Sequence, residues 1–225
     1  MYIIKYLQLA GIILLLSILT GCGDLTKKPK IIAAPTPTPT PTPGEPASTF
    51  NGKIIDNAVK GLTFICADVN GTTDVNGSFG VCPIDSKVTF FIGELGVGSS
   101  FVTEDKIFFV TDIADENLSR DDIDDENVIK IARVLMTLDA DGDVSNGIEI
   151  PSETAGILKA IGLKSGFTIK QFIDSRIDIT NDILIQQLKP TYPHIKIVTG
   201  SEAETHLADT LVDIKNGTIA PVIQP

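Results

Sequence analysis

The tract PTPTPTPTPGEP, Pro35 to Pro46, sets the first limit on what this chain can fold into. Proline has no N–H and a fixed φ, so alternating Pro and Thr builds neither a helix nor a paired strand. Such tracts stay extended, at about 3.1 Å per residue, and act as semi-rigid spacers. A packed body therefore belongs on one side of the tract. The chain has 225 residues, room for one ordinary domain or two small ones, and the stretch from residue 49 onward carries the patterns of folded structure.

What precedes the tract reads as an export signal. Lys5 gives a short positive start, and Leu9 to Leu19 is a mainly apolar run without charge. That run is too short to span a bilayer as a mature helix and fits the core of a secretory signal. It ends in LTGC, Leu19 to Cys22, which resembles a bacterial lipobox. The resemblance implies that Cys22 is lipidated and becomes the first mature residue; an ordinary signal peptide with a chance cysteine is the alternative. Two or more acyl chains hold a protein on a membrane almost permanently, where one holds weakly. Gly23 follows the cysteine where Asp would favour inner-membrane retention, so resemblance to Gram-negative lipoproteins points to the outer membrane of a bacterial envelope. Lys27, Lys28 and Lys30 lie where they would meet anionic headgroups, or they belong to a merely soluble tail. The expected layout is a signal over residues 1–21 and a lipid-anchored linker over 22–48. Residues 23–48 would hold the body on the order of 80 Å from the lipid if fully extended.

Eighteen basic residues stand against 29 acidic ones, a formal net charge of −11. Such a body repels phosphates, so nucleic acid is excluded as a partner, while cation binding fits.

From 49 to 112 the pattern is that of strands. TFNGKII, GLTFICA, GTTDVNGSFGVC, KVTFFIG and KIFFV alternate apolar with polar residues, and Asn-Gly pairs at Asn51, Asn70 and Asn76 read as turns. The expected fold class is α+β: a small antiparallel β-sandwich of immunoglobulin or prealbumin kind, then a mainly helical region over 113–217 and a tail over 218–225. Cys66 and Cys82 flank the VNGTTDVNG turn region. With Cys22 set aside as lipidated, an even pair in an oxidising compartment reads as a disulfide, and a metal role without nearby histidines is the alternative.

After Asp112 the period becomes helical. Val128, Ile131, Leu135 and Leu138 recur at spacings of three and four, with Ala132 and Met136 widening the stripe. The acidic residues before it, including Asp124, Asp125 and Glu126, suit a helix start; a second metal site is the other reading. Thr168 with Gln171, flanked by Phe167 and Phe172, and Ser201 with Glu204 read as capping boxes, the second opening a helix with Ala203, Leu207, Leu211 and Ile214 on one face. ITNDILIQQL, 179 to 188, is expected to form a short helix ended by Pro190.

LDADGDVSNGIEI, Leu138 to Ile150, crowds three aspartates onto alternate positions. Carboxylates at places 1, 3 and 5 of a loop after a helix can converge on a hard cation, and calcium accepts six to eight oxygens in irregular geometry. The expected ligands are Asp139, Asp141, Asp143, Asn146 (or Ser145) and Glu149, with a backbone carbonyl and water. The loop departs from an EF-hand, which needs Gly sixth and Glu twelfth, where this chain has Val144 and Ile150. The competing reading is a polar turn whose aspartates cap backbone N–H groups.

GLTFICADVNGTTDVNGSFGVCPIDSKVTFFIG, NVIKIARVLMTLDADGDVSNGIEI and SEAETHLADTL together resemble the small β-sandwich modules of bacterial surface lipoproteins and adhesin-like proteins, with the helix, Asp-rich loop and closing helix that follow them. The resemblance implies surface location and architecture more than activity. With the chain ending at Pro225, no separate catalytic domain is expected. His194 and His206 are the only histidines; His194 sits in a Pro-rich connection, and His206 one turn from Glu202 is expected to form an exposed pair. No nucleophile elbow, phosphate loop or zinc pattern is present, so no catalytic residues are assigned. The expected function is a non-enzymatic envelope or surface protein, lipid-anchored and braced by calcium and a disulfide, that binds an envelope or extracellular protein or a glycan. A carbohydrate-binding module is the alternative, although the chain has no Trp and only three Tyr for sugar platforms.

Overall fold

The computed structural model describes residues 49–102, 107–161, 166–171 and 183–219. The chain divides into Met1–Gly44 and Glu45–Pro225. The signal, Cys22 and the linker all lie outside the described residues, which all belong to the second unit.

Eight strands come first: β1 (Thr49–Ile55), β2 (Val59–Lys60), β3 (Thr63–Cys66), β4 (Val69–Thr72), β5 (Ser78–Pro83), β6 (Lys87–Ile92), β7 (Leu95–Phe101) and β8 (Ile107–Phe109). Helices α1 (Val110–Ala114) and α2 (Glu126–Thr137) follow, then a 3-10 turn (Val144–Asn146), β9 (Ile148–Glu149) and α3 (Thr154–Ala160). Residues 183–188 are helical, here α4, and α5 (Gly200–Lys215) closes the order. The class is α+β, as expected. Among the described residues no helix is long and apolar enough to cross a membrane.

The strands form a four-stranded antiparallel sheet ordered β4-β3-β6-β7 and a three-stranded sheet ordered β5-β1-β8. Alternation does its usual work in β6, where Val88, Phe90 and Ile92 point inward. The sheets meet through Phe79 of β5, whose ring lies 5.4 Å from Phe64 of β3 and 5.1 Å from Phe90 of β6. Cys66 on β3 is bonded to Cys82 on β5, with Cα atoms 5.7 Å apart, so the expected disulfide staples one sheet to the other.

The antiparallel expectation holds for the four-stranded sheet and for β1 with β5, and two strand pairs depart from it. β8 runs parallel to β1, pairing Lys53 with Ile107 and Ile55 with Phe109, and β2 runs parallel to β9, pairing Val59 with Ile148. The physical reason is two-sided burial. Ile54 and Ile55 are both enclosed, as are Phe108 and Phe109, so β1 and β8 face apolar surroundings on both sides, a habit of parallel strands. The chain passes directly from β8 into α1, and β9 from the helix-rich half pairs with β2 from the strand-rich half. One hydrophobic cluster runs from Ile54 to Leu211.

Of the three Asn-Gly pairs in the strand-rich half, only Asn76-Gly77 makes a turn, with Gly77 at φ +71° and its N–H donating to the Asp74 carbonyl at 2.9 Å. Asn51-Gly52 lies inside β1 at a shift of register, where the Asn51 side chain accepts from the Val81 N–H. Asn70-Gly71 lies within β4. Gly71 is there because a Cβ would stand 2.9 Å from the Phe64 ring.

Helix α2 begins where the acidic run implied: the Asp125 carboxylate accepts from the N–H groups of Asn127 and Val128, and Val128, Ile131, Leu135 and Leu138 are buried. The Thr168–Gln171 box also forms; Phe172 and residues 179–182 lie outside the described residues. The cap of α5 differs from expectation. It is Thr199, not Ser201, and the reciprocal partner is Glu202, not Glu204. The Val198 N–H is held by the Thr137 hydroxyl at 3.0 Å, which leaves Thr199 as the last extended residue and puts Ser201 inside the first turn. Thr199→Ala should lower stability by about 1 kcal/mol, measured by denaturant unfolding, whereas Ser201→Ala should leave it nearly unchanged.

Candidate calcium loop

Helix α2 delivers the aspartates to a sharp turn. Its last turn closes on Leu138, and Asp139 follows as a buried residue, 1 % exposed. The Asp139 Oδ1 accepts from the Glu149 N–H at 2.9 Å, while the Ala140 N–H donates to the Glu149 carbonyl at 2.9 Å. These two bonds close the loop at its base. Gly142, at φ +72°, makes the turn, and a Cβ there would stand 2.6 Å from the His194 carbonyl oxygen. A larger residue is therefore excluded twice, by conformation and by space. The far side is held by the Asn57 amide, which donates to the Val144 carbonyl at 2.6 Å, and by the Ile148 N–H, which donates to the Ala58 carbonyl at 2.8 Å.

Within this frame the expected ligands divide. The Asp139 and Asp141 carboxylates are close enough to influence one another directly. Asp141 accepts from the Asp143 N–H at 2.9 Å and from the Asn146 amide at 3.0 Å. Asp143 turns to Ser145, accepting from its hydroxyl at 2.6 Å. Glu149 is not with them: its carboxylate lies 2.5 Å from the Lys60 ammonium. The alternation of IEI made that placement legible, since Ile148 and Ile150 are buried and must turn Glu149 outward. Among the described residues no group of three His, Cys, Asp or Glu side chains converges as a ready-made cage. Part of the loop thus matches the competing reading, in which aspartates cap backbone N–H groups.

One feature goes beyond a capped turn. The Asp139 Oδ2 is buried and, among the described residues, has no hydrogen-bond partner in this fold. Burial pushes the Asp139 carboxyl up to about 6; the Glu149 N–H works against this, while the Asp141 charge, hydrogen bonding of the protonated group to Asp141 and the Asp143 charge add to it. Asp141 moves the other way, held below the usual range chiefly by the Asn146 amide and the Asp143 N–H. Two carboxyls side by side, one raised by burial and by its neighbour and one lowered by the donors it accepts from, form a close carboxyl pair.

A pair that the sequence concealed lies nearby. His206 is not exposed beside Glu202. Its side chain is 11 % exposed, and its Nε2 stands 3.2 Å from Oδ1 of Asp56, which is fully enclosed. The two residues are 150 positions apart, and only the position of Asp56 directly after the buried Ile54 and Ile55 hinted at an unusual setting. His194 is exposed, as expected.

No family model matches this chain, and neither the curated proteins nor the solved structures contain a match to it.

Proposed function

We propose that this chain is a bacterial envelope protein, lipid-anchored through Cys22, whose non-enzymatic body is an interaction module braced by one calcium ion and by the Cys66–Cys82 bond. We read the two facing sheets as a small sandwich of immunoglobulin or prealbumin kind, a reading supported by their contact through Phe79 and by a disulfide that joins them.

The observation that carries the calcium reading is the unpartnered, enclosed Oδ2 of Asp139 beside the Asp141 carboxylate. A buried anionic oxygen without a donor is costly, and a hard cation is the partner that satisfies two carboxylates at once. Asp139 and Asp141 would hold the ion. Asp143 and Asn146 would join them by exchanging their present bonds to Ser145 and Asp141 for it. Glu149 serves through its backbone, orienting Asp139, while its carboxylate stays with Lys60. A loop fixed at its base by β9 and on its far side by Asn57 would give such an ion a structural role, keeping the surface next to α5 in one shape.

The test uses the full chain in its native envelope. Replacing Cys22 by Ser should move the protein from the membrane to the soluble fraction. Chemical cross-linking should then capture a protein partner in calcium buffer and lose it both in chelator and in Asp139→Asn. Binding to glycans with no protein partner would favour the carbohydrate-binding reading instead.

A further inference from the structure

Asp56 lies in the turn between β1 and β2 and is fully enclosed. Neither of its carboxylate oxygens has a hydrogen-bond partner among the described residues. Set against it is the His206 imidazole of α5, with Nε2 at 3.2 Å from Oδ1 and 3.4 Å from the Asp56 carbonyl oxygen. A buried carboxylate stays ionised only beside a counter-charge, and removing one partner of such a pair leaves the other costly to keep. The imidazole borders a cavity of about 370 Å³ between α5, the end of α2, the Asp-rich loop and residues 196–198. The other charged groups facing that cavity are Glu202 and Asp209 from α5 and Lys196 from the segment before it; α2 contributes Met136 and the loop contributes Gly142 and Val144.

We propose that Asp56 and His206 form a proton-operated latch: the protonated imidazole, set against the enclosed carboxylate, pins α5 to the β1–β2 turn, and loss of that proton loosens the helix. Loosening would uncover the face of α5 that carries Ala203, Leu207 and Leu211, all buried in the closed form. The neighbouring residues would transmit the change, because Asn57 and Ala58 hold the Asp-rich loop through Val144 and Ile148. The latch needs no bound ion and stands independently of the calcium reading. Its direction follows from the balance at the imidazole. Burial opposes the charge, but Asp56 and then Asp209 outweigh it and raise the group above 6.5. A raised histidine gives stability that is complete below about 6.5 and is lost as the pH rises through the folded value. The latch is therefore closed in mildly acidic surroundings and weakens in alkaline ones.

The full chain in detergent micelles tests this directly. It has two histidines, so its imidazole proton resonances are few, and His194→Gln assigns them at an exposed site. The His206 resonance should titrate above 6.5. Amide exchange, corrected for base catalysis, should show the opening constant of α5 rising by up to about tenfold per pH unit across that transition. The paired variant Asp56→Asn with His206→Gln should show no such rise. A His206 midpoint below 6.5, or α5 opening that is independent of pH in the unmodified chain, would overturn the latch, and neither reading requires the paired variant to fold. Identical pH dependence in the paired variant would overturn it equally.

Discussion

Asp139→Asn is expected to make the calcium-free protein more stable at pH 7.5, not less. Asp139 is 1 % exposed, and its carboxyl is pushed from 3.8 to about 6 in the fold. A carboxyl raised in this way contributes stability that is complete below about 3.8 and is lost as the pH rises through about 6. At pH 7.5 without a cation the ionised group then costs about 3 kcal/mol, from a shift of roughly two units at 1.36 kcal/mol each. Asparagine removes the charge and keeps an oxygen for the Glu149 N–H. Its melting temperature should exceed that of the unmodified chain by on the order of 5–10 °C in chelator at pH 7.5, and the difference should shrink toward pH 4. In millimolar calcium the difference should narrow by about 1 kcal/mol, because the ion stabilises only the chain that binds it and does so by that order at a dissociation constant of roughly 0.1–1 mM. A calcium-free Asp139→Asn protein less stable than the parent at pH 7.5 would mean that the carboxylate is already satisfied by the protein, and the main argument for a cation would fail.

The second large effect concerns the staple. Cys66 and Cys82 are 16 positions apart in sequence, and closing a loop of that size stabilises a fold by about 3 kcal/mol on the chain-entropy model. Here the bond also joins the two sheets beside the Phe64–Phe79–Phe90 contacts. Both sulfurs belong to residues with no exposed surface, so the paired Cys66→Ala and Cys82→Ala variant keeps an apolar interior and isolates the loss of the cross-link. It should lose about 2–5 kcal/mol of unfolding free energy, read from denaturant midpoints at constant slope. Reduction of the unmodified chain should give a loss of the same order. A loss below about 1 kcal/mol would show that the sheets hold together through their aromatic contacts alone.

The contrast between these two features shows what a sequence of this kind makes legible. Local signals were readable: the stripe of α2 with Asp125 before it, the alternation of β6 and the Thr168–Gln171 box; the two isoleucines flanking Glu149 carried its outward turn, although the sequence reading places it among the ligands of the loop instead. Each depends on neighbours within one or two turns of chain. The cap of α5 was misplaced by two residues because the Thr137–Val198 bond, which fixes where the extended segment ends, spans 61 positions. Parallel pairing of β8 with β1 was hidden for a similar reason. IFFV is equally good as one face of a hairpin or as a strand covered on both sides, and only the helices lying on the sheet decide between them. Asn-Gly misled at Asn51 and Asn70 because glycine also serves bulges and close ring contacts. In the loop itself, the crowding of three aspartates was plain, but which of them would be buried was not. That depended on β9 returning to pair with β2 and drawing the Glu149 N–H onto Asp139. The Asp56–His206 pair had no sequence signal beyond an Asp placed after an apolar run.

Calcium titration of the full chain by calorimetry at pH 7.5, repeated with Asp139→Asn, tests the central claim most directly. The account predicts about one ion per chain, bound in roughly the 0.1–1 mM range of extracellular modules, with binding weakening as the pH falls below about 6 and absent in the variant. Saturable binding of equal strength in the parent and in Asp139→Asn, or no binding to the parent at about 10 mM calcium, well above that range, would contradict it.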